Sequence, residues 1–292
     1  HHSSFQISTE WMNTSFDHRA AVLNDVANSL ESQSWQFIYL LMHEAGKTIQ
    51  DAHDEIREAV DFLRYYANQS ALFNSQSIQS GPTGEDNILE YCPKGLVACI
   101  SPWNFPLAIT LGQIAAALVT GNTVIAKASE ETSLTAFKAA TLFFNHGLPK
   151  DALHLLLGDG RVGQAIITSQ ALDLVVFTGS LKTAKSIHNS LSNKPGKIVP
   201  LIAETGGLNS MVVDSSALIE RACDDIMRSA FNSAGQRCSA LRVLLVHHDI
   251  YSELLTMLKG AMNDLSIGAP DELGTDIGPI ISSEALKKLK NY

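Results

Sequence analysis

The sequence predicts an α/β fold built around a parallel β-sheet. From Gly95 onward, short apolar runs alternate with helical patterns, which is the spacing of repeated strand–helix units. The chain has 292 residues, of which 45% are hydrophobic and 17% are charged, so it can bury a sizeable core. These observations together favour a sheet that is covered by helices on both faces.

The region before the sheet is predicted to be helical. Between residues 15 and 70, apolar positions recur at three- and four-residue spacing, and Gly46 separates two helices. Residues 75–86 are rich in Ser, Gly and Pro and predict a loop, and residues 88–92 predict a strand.

The sheet region is predicted to alternate strands with helices as far as residue 203. The predicted strands cover residues 95–101, 123–127, 153–157, 174–177 and 198–203. The predicted helices cover residues 107–119, 133–145, 162–169 and 182–191.

A second α/β domain is predicted to begin at residue 204 and to be incomplete. It holds strands at 210–213 and 241–246, helices at 218–232 and 250–265, and a turn at 233–238. Residues 268–292 contain several Gly and Pro residues and the start of another helix. The sequence thus divides into domains at 1–203 and 204–292.

Charge and composition exclude several classes of protein. The net charge of −9, without clustered Lys or Arg, argues against a nucleic-acid partner. No apolar stretch of membrane-spanning length and no signal pattern occur, so we expect a cytoplasmic protein. Four cysteines without metal-ligand spacing predict neither a disulfide scaffold nor a metal site. His1 and His2 resemble the remnant of a purification tag.

A glycine-rich segment follows one predicted strand and opens the next helix. Residues 158–163 (GDGRVG) match G-x-G-x-x-G, whose backbone N–H groups can bind phosphate at a helix N-terminus. The acid expected about 20 positions later is not clear, because Asp173 comes early and the next acid is Glu204. An ordinary turn between strand and helix explains the segment equally well.

The segment SPWNFP (101–106) follows another predicted strand. Its two prolines restrict the backbone around Asn104, at the strand end where open α/β sheets bind ligands. The amide of Asn104 is therefore a candidate to stabilise a developing oxyanion. The alternative is a loop in which Asn104 bonds to its own backbone.

Cys238 is the candidate nucleophile. It follows the small residues of the predicted turn, which permit a tight bend beside the thiol. A buried structural role is nevertheless the commoner fate of a cysteine, and we expect it for Cys92, Cys99 and Cys223.

Three charged residues lie at or just beyond predicted strands. Glu204 precedes two glycines and is either a general base in a cleft or a surface loop acid. Lys127 ends a strand, and Glu130 begins the next helix three residues later. Together these two residues suit the hydroxyls of a ribose, although Glu130 is also an ordinary helix-start acid.

Taken together and in order, these motifs resemble the aldehyde dehydrogenase superfamily. The motifs are SPWNFP (101–106), GNTVIAKASE (121–130), FTGS (177–180), ETGG (204–207) and GQRC (235–238). Segments 44–67, 203–218 and 231–244 further resemble the Δ1-pyrroline-5-carboxylate dehydrogenase domain of bacterial proline utilisation A. The resemblance implies a Rossmann-type cofactor domain at 1–203 and a catalytic domain at 204–292.

The resemblance assigns a role to each matching position. Cys238 is the nucleophile, Asn104 and the backbone N–H of Cys238 form the oxyanion hole, and Glu204 is the general base. Ser239 helps to hold a substrate carboxylate, and Glu58 matches an acid near the active site. The implied NAD-binding residues are Ser101, Trp103, Lys127, Glu130, Gly163, Thr178, Gly179 and Ser180.

The resemblance also implies missing parts and partners. The family's later Glu-x-Phe-Gly-Pro motif and the closing C-terminal segment do not occur in the sequence, so the chain looks truncated at both ends. In addition to an aldehyde substrate, the implied partners are a covalently fused proline dehydrogenase and, for the complete protein, further copies in a homo-oligomer.

Three functions are compatible with the sequence. The first is the NAD⁺-dependent oxidation of L-glutamate 5-semialdehyde to glutamate in proline catabolism, through a thiohemiacetal and a thioester on Cys238. The second is oxidation of another aldehyde, such as succinate semialdehyde, with NAD(P)⁺. The third is a cofactor-binding fragment without turnover.

Overall fold

The computed structural model describes residues 6–73 and 77–291, and the side chain of Ser77 is not described. The chain forms two compact units. Unit 1 comprises His1–Phe37 and Glu55–Glu204, and unit 2 comprises Ile38–Asp54 and Thr205–Tyr292. Each unit has its own core.

Apart from α1 and β1, the helices and strands follow one another along the chain in the predicted order. The helices are α1 (Thr9–Met12), α2 (Phe16–Ser32), α3 (Ser34–Ala45), α4 (Ile49–Gln69), α5 (Ala108–Val119), α6 (Ser133–Asn145), α7 (Gly160–Thr168), α8 (Leu181–Ser192), α9 (Ile219–Phe231), α10 (Tyr251–Asp264) and α11 (Ser283–Lys290). The strands are β1 (Ser77–Gln79), β2 (Asn87–Leu89), β3 (Leu96–Ile100), β4 (Thr123–Lys127), β5 (Leu153–Leu156), β6 (Leu174–Gly179), β7 (Leu201–Thr205), β8 (Asn209–Val213) and β9 (Leu241–Val246).

Unit 1 contains a five-stranded sheet in the order β5-β4-β3-β6-β7. Strand β3 pairs in parallel with β4 and β6, and β4 pairs in parallel with β5. The central strands β3 and β4 are almost entirely buried, which explains why their sequences are continuous apolar runs rather than alternating ones. The parallel α/β fold predicted from the sequence is confirmed.

Two N-terminal polar side chains bind the end of helix α5 in unit 1. The indole N–H of Trp11 donates to the carbonyl of Leu118 at 2.9 Å, and the guanidinium of Arg19 donates to the carbonyl of Val119 at 2.8 Å. Burial lowers the pKa of Arg19. These bonds satisfy carbonyl groups that a helix C-terminus leaves without intrahelical partners.

Helices α3 and α4 are separated at Gly46, as predicted. Gly46 has a φ of +65°, and a Cβ at this position would lie 2.8 Å from Cγ of Pro279. Both the backbone conformation and the close approach of Pro279 therefore require glycine.

Unit 2 contains a parallel pair formed by β8 and β9. Helices α9 and α10 cover one face of this pair, and the shared core includes Val213, Cys223 and Leu254. On the other face, Val212 and Leu245 are exposed.

The structure differs from the sequence predictions in the segment before β3. Residues 77–79, predicted as loop, form β1 and pair antiparallel with β2. The prediction failed because a three-residue strand is too short to show periodicity. Residues 75 and 76, also predicted as loop, and the tag-like His1 and His2 lie outside the described residues.

One segment lies in a different compact unit from the domain that was predicted for it. Residues 38–54 belong to unit 2, whereas the sequence placed them in the first domain. The cofactor and catalytic roles of the predicted domains stay predictions.

Among the described residues, none of the helices combines the length and apolar character needed to cross a membrane.

The core of unit 1 offers a matched test of packing on one helix. Phe143 is fully buried and Phe137, on the same helix α6, is 55% exposed. We expect Phe143→Ala to lower the free energy of unfolding by about 3–5 kcal/mol, because it removes buried contacts and leaves a cavity. Phe137→Ala should change the free energy of unfolding by less than about 0.5 kcal/mol. Urea denaturation followed by circular dichroism measures both values, and equal effects would contradict the assigned core.

Candidate active site

The predicted cofactor residues of unit 1 meet at one edge of the parallel sheet. Ile100 at the end of β3 is aligned with Lys127 of β4 and with Phe177 of β6. The segments that follow these strands therefore leave the sheet at its carboxyl edge, where open α/β sheets bind ligands.

Lys127 and Glu130 form an ion pair at this edge. Nζ of Lys127 lies 3.2 Å from Oε2 of Glu130. The lysine side chain is only 8% exposed, whereas that of the glutamate is 51% exposed. The pair thus presents a fixed ammonium group and an accessible carboxylate, a donor and an acceptor suited to vicinal hydroxyl groups.

The SPWNFP segment is held firmly where it leaves β3. Ser101 is buried, its backbone N–H donates to the carbonyl of Lys127 at 3.1 Å, and its hydroxyl accepts from Thr110 at 2.7 Å. Trp103 and Asn104 are half-buried. The local fold therefore fixes the start of the segment while leaving both side chains partly accessible.

A buried carboxylate fixes the other end of this segment, and the sequence analysis missed it. Glu55 on α4 is 1% exposed, and its Oε1 accepts from the backbone N–H groups of Leu107 at 2.8 Å and Ala108 at 3.2 Å. It satisfies two N–H groups at the start of α5, which otherwise lack intrahelical partners. The sequence did contain a sign of this buried role, because Glu55 is an acid within the apolar stripe of α4, between the buried residues Ala52 and Ala59.

The FTGS segment (177–180) contains the last three residues of β6 and the residue that caps helix α8. The hydroxyl of Ser180 accepts from the backbone N–H of Thr183 at 3.1 Å, which caps the helix. The amide of Gln113 on α5 donates to the hydroxyl of Thr178 at 3.0 Å. Thr178 and Gly179 are half-buried, and Ser180 is exposed.

The glycine-rich segment 158–163 joins β5 to α7 as predicted. Gly158 has a φ of +142°, and Asp159 caps α7 by accepting from the backbone N–H of Arg161 at 2.9 Å. This bond, with the charges of Arg161 and Lys127, lowers the pKa of Asp159. A Cβ added at Gly163 would meet no atom within 4 Å.

An apolar cavity lies beside this segment in unit 1. It has a volume of about 420 Å³ and is lined by Leu156, Arg161, Val162, Ala165, Ile166 and Ser169. Leu156 is aligned with Lys127 in the sheet, so the cavity opens next to the Lys127–Glu130 pair. Its lining, which is apolar apart from Arg161 and Ser169, suits an apolar ring better than a phosphate.

Asp173 lies at the opposite edge of the sheet. Its carboxylate accepts from the backbone N–H of Leu96 at 2.8 Å and forms an ion pair with Lys197. Asp173 immediately precedes β6, whereas ligands bind beyond strand ends. It is therefore a structural residue.

The two remaining predicted acids of unit 1 are exposed. Glu204 lies on β7, and Glu58 lies on the solvent-facing side of α4. Both carboxylates are accessible for proton transfer or for binding a polar ligand.

In unit 2, Cys238 lies beyond a strained turn. Ser233, Ala234 and Gly235 have φ values of 54°, 55° and 67°. For the two non-glycine residues this left-handed backbone costs on the order of 1–3 kcal/mol each, and such strain clusters at functional sites. At Gly235, a Cβ would lie 2.8 Å from the carbonyl oxygen of Ala230.

Hydrogen bonds hold the strained turn in place. Ser233 N–H donates to the carboxylate of Asp51 at 3.1 Å, and Arg242 donates to the carbonyl of Gly235 at 2.6 Å. The side-chain oxygen of Gln236 accepts from the backbone N–H of Ile281 at 3.0 Å. These contacts offset the backbone strain and fix the approach to Cys238.

Asn209 is the second residue that the sequence analysis missed. Its Nδ2 donates to the carbonyl of Cys238 at 2.7 Å and to that of Ala240 at 2.9 Å. Cys238 itself is exposed, with a free thiol. The signal in the sequence was the asparagine two residues after the ETGG motif.

A cavity of about 910 Å³ within unit 2 is partly lined by Ser239, the residue after Cys238. Arg228 and Arg237 contribute positive charge to its wall, and Asp51, Asp54, Asp225 and Asp276 contribute negative charge. A cavity with both signs of charge is suited to a small zwitterionic ligand.

The other cysteines differ from one another. Cys99 and Cys223 are buried as predicted. Burial raises the pKa of Cys99 to about 12. Burial and the negative charge of Asp224 together raise the pKa of Cys223. The prediction for Cys92 was wrong, because it lies in the exposed segment between β2 and β3. The neighbouring residues Glu90 and Tyr91 are exposed as well.

Comparison with known proteins identifies the family. Residues 3–292 match the family described as the aldehyde dehydrogenase family. The chain belongs to the aldehyde dehydrogenase family. Within this family, the bifunctional protein PutA of Salmonella typhimurium is 46% identical over 287 residues, which cover 97% of this chain and 21% of that protein.

Separate dehydrogenases of the family are also similar. The 1-pyrroline-5-carboxylate dehydrogenase 1 of Halalkalibacterium halodurans is 35% identical, over 97% of this chain and 56% of that protein. A crystal structure of 1-pyrroline-5-carboxylate dehydrogenase from Thermus with bound NAD matches with a TM-score of 0.93 and 30% identity, over 97% of this chain and 56% of that one. The aldehyde dehydrogenase chain therefore spans about a fifth of PutA and about half of the separate enzymes.

The role of Glu55 can be tested by local measurement. We expect Glu55→Ala to lower the free energy of unfolding by about 1–3 kcal/mol, because two buried N–H groups lose their acceptor. Hydrogen exchange at Leu107 and Ala108 should accelerate selectively. Glu55→Gln keeps an acceptor oxygen and should retain most of the protection. Asp61→Ala, at an exposed position of the same helix, is the control; an equal effect of this variant would refute the assignment.

The cysteine environments predict a pattern of alkylation. Iodoacetamide at pH 8 should label Cys92 and Cys238 in the native protein and spare Cys99 and Cys223, as determined by peptide mass spectrometry. Because the pKa of Cys99 rises to about 12 on folding, its protonated form stabilises the fold below its ordinary pKa of 9.0, and this contribution decreases as the pH rises toward 12. Early labelling of Cys99 in folded protein would contradict its burial.

Proposed function

We propose that this chain carries the NAD⁺-dependent oxidation of L-glutamate 5-semialdehyde to glutamate in proline catabolism. The observation that carries the proposal is Cys238, an exposed free thiol beyond a strained turn, with its carbonyl held by Asn209. The similarity to PutA and to 1-pyrroline-5-carboxylate dehydrogenases supports this substrate.

The proposed chemistry takes place on the sulfur of Cys238. Its thiolate attacks the aldehyde carbon, which forms a C–S bond and places negative charge on the former carbonyl oxygen. Loss of hydride from this carbon leaves a thioester. Water then attacks the thioester carbon, the C–S bond breaks, and the acid and the thiol are released. The covalent intermediate divides one difficult oxidation into two easier steps.

Two residues support these steps in the proposal. The amide N–H₂ of Asn104 and the backbone N–H of Cys238 donate to the oxyanion; loss of one such donor typically costs about 3–4 kcal/mol in the barrier. Glu204 accepts a proton from the water that hydrolyses the thioester. Its exposure on β7 is compatible with this role, because a general base must reach bulk or bound water.

The residues at the carboxyl edge of the unit 1 sheet fit NAD. Lys127 and Glu130 would bind the adenosine ribose, and the neighbouring apolar cavity would hold the adenine. Ser101, Trp103, Gly163, Thr178, Gly179 and Ser180 complete the proposed cofactor residues. When bound, NAD⁺ supplies the acceptor for the hydride. The carboxylate of Glu130 favours NAD⁺ over NADP⁺, because it would repel a 2′-phosphate.

Two further residues are proposed to bind a substrate that carries a carboxylate and an ammonium group. We propose that the hydroxyl of Ser239 binds the substrate carboxylate and that Glu58 binds a polar group of the substrate. The mixed charges of the cavity lined by Ser239 are compatible with such a zwitterion.

The proposal extends to the complete protein. In view of the bifunctional relatives, we propose a covalently fused proline dehydrogenase and a homo-oligomeric assembly. A reducing compartment such as the cytoplasm would keep the exposed thiol of Cys238 available for catalysis.

The substrate and the activity of this chain can be tested separately. Calorimetry measures NAD⁺ binding to the chain, and NADH absorbance measures turnover with glutamate semialdehyde and succinate semialdehyde in both the chain and the full-length protein. Preference for glutamate semialdehyde supports the proposal. Preference for succinate semialdehyde would favour the second function. Binding of NAD⁺ without turnover by the chain alone would identify it as a cofactor-binding part of an active parent.

Two substitutions test the catalytic roles in the full-length protein. Cys238→Ala should abolish NADH production while leaving NAD⁺ affinity within about twofold, because it removes the nucleophile and no cofactor contact. Glu204→Gln should slow thioester hydrolysis, so that acyl-enzyme accumulates as an added mass on the Cys238 peptide. An unaltered rate without added mass in Glu204→Gln would rule out the proposed base.

A further inference from the structure

A cluster of metal-ligand side chains follows strand β9 in unit 2. His247, His248 and Asp249 each offer a ligand atom, and these atoms lie within 4.8 Å of one another. Nδ1 of His247 lies 3.6 Å from one carboxylate oxygen of Asp249, and Nε2 of His248 lies 2.8 Å from the other. The two imidazole centroids are 4.4 Å apart.

The surroundings of the cluster are negatively charged. The backbone N–H of His247 donates to the carbonyl of Val213, the last residue of β8, at 2.9 Å, which brings the residue after β8 close to the cluster. That residue is Asp214, whose carboxylate interacts electrostatically with His247. Two neutral imidazoles and two carboxylates would balance the charge of a divalent cation.

We propose that His247, His248 and Asp249 form a binding site for a divalent transition-metal ion such as zinc. Imidazole nitrogen favours zinc, copper or nickel, whereas magnesium and calcium prefer sites made of oxygen ligands. Zinc binds imidazole nitrogen and carboxylate oxygen at about 2.0–2.2 Å. The three ligand atoms lie within 4.8 Å of one another, so small rotations of these accessible side chains bring all three to such distances from one zinc ion. Water or Asp214 supplies the fourth ligand.

The weakest local contact is the one that the metal would replace. The backbone N–H of Asp249 donates to Nδ1 of His247 at 3.3 Å, which is long for such a hydrogen bond. Exchange of this bond for a metal–nitrogen bond costs little. The sequence predicted that no metal binds, but that prediction rested only on the spacing of the cysteines. The proposed site uses histidine and aspartate ligands instead.

The site lies at the opposite end of β9 from Cys238. Strand β9 has six residues and therefore separates the two ends by about 20 Å. A metal at His247 would join the end of β9 to the start of α10 and would be too far from the thiol to act on it. We therefore expect the ion to stabilise unit 2 rather than to take part in the reaction.

Zinc binding can be measured with zinc ion itself as the probe. The reference protein carries His1→Ala and His2→Ala and has its accessible cysteines alkylated, because terminal imidazoles and free thiols would also bind zinc. Calorimetry and equilibrium dialysis should give one zinc ion per chain. His248→Ala and Asp249→Asn should each weaken zinc binding at least tenfold. The control is His53→Ala. His53 is a single exposed histidine whose Nδ1 lies 3.6 Å from Oδ1 of Asp54.

Two further measurements separate loss of a ligand from loss of the fold. His248 is 84% exposed, so His248→Ala should keep the circular dichroism spectrum and the melting temperature without metal. Saturating zinc should raise the melting temperature of the reference protein and of His53→Ala but not that of His248→Ala. With copper in place of zinc, electron paramagnetic resonance should show coupling to imidazole nitrogen. Zinc affinity in His248→Ala equal to that of the reference protein, or a copper spectrum without nitrogen coupling, would overturn the proposal.

Discussion

The parallel pairing of β3 with both β4 and β6 is the constraint on which the candidate site of unit 1 depends. Because the three strands run in the same direction and in register at Ile100, Lys127 and Phe177, the segments after them leave the sheet at one edge. Residues that lie far apart in the sequence, such as Ser101 and Ser180, therefore come to the same edge of the sheet. An antiparallel pairing of β6 would send its following segment to the opposite edge.

Polar side chains in the interior hold this edge in shape. Glu55 binds the start of α5, Thr110 binds Ser101, and Gln113 binds Thr178. Each bond replaces water at a buried polar group, where an unpaired donor or acceptor would be costly. The turn of unit 2 follows the same principle, since Asp51 and Arg242 bind a backbone that is locally unfavourable.

The sequence was sufficient to predict most of the fold and much of the candidate site. Apolar runs predicted β3 and β4 to within one residue, because a buried parallel strand needs continuous apolar residues. Motifs located Lys127, Glu130 and Cys238. Glu55 and Asn209 were missed because their partners lie 52 and 29 residues away, and such contacts leave no local pattern. The prediction that Cys92 is buried was wrong, because it rested on the general preference of cysteine for buried positions and not on the residues around Cys92.

The order of strands in the sheet has a consequence for synthesis on the ribosome. Strand β3 is made first and lies at the centre, and β4 and β5 extend the sheet to one side before β6 emerges on the other. At about 5–20 residues per second, the second edge of β3 waits roughly 4 to 15 seconds for its partner. During this interval a nascent chain exposes an apolar strand edge that other chains can pair with. Slow elongation beyond residue 100 would lengthen the interval during which β3, the central strand of the sheet, is open to such pairing.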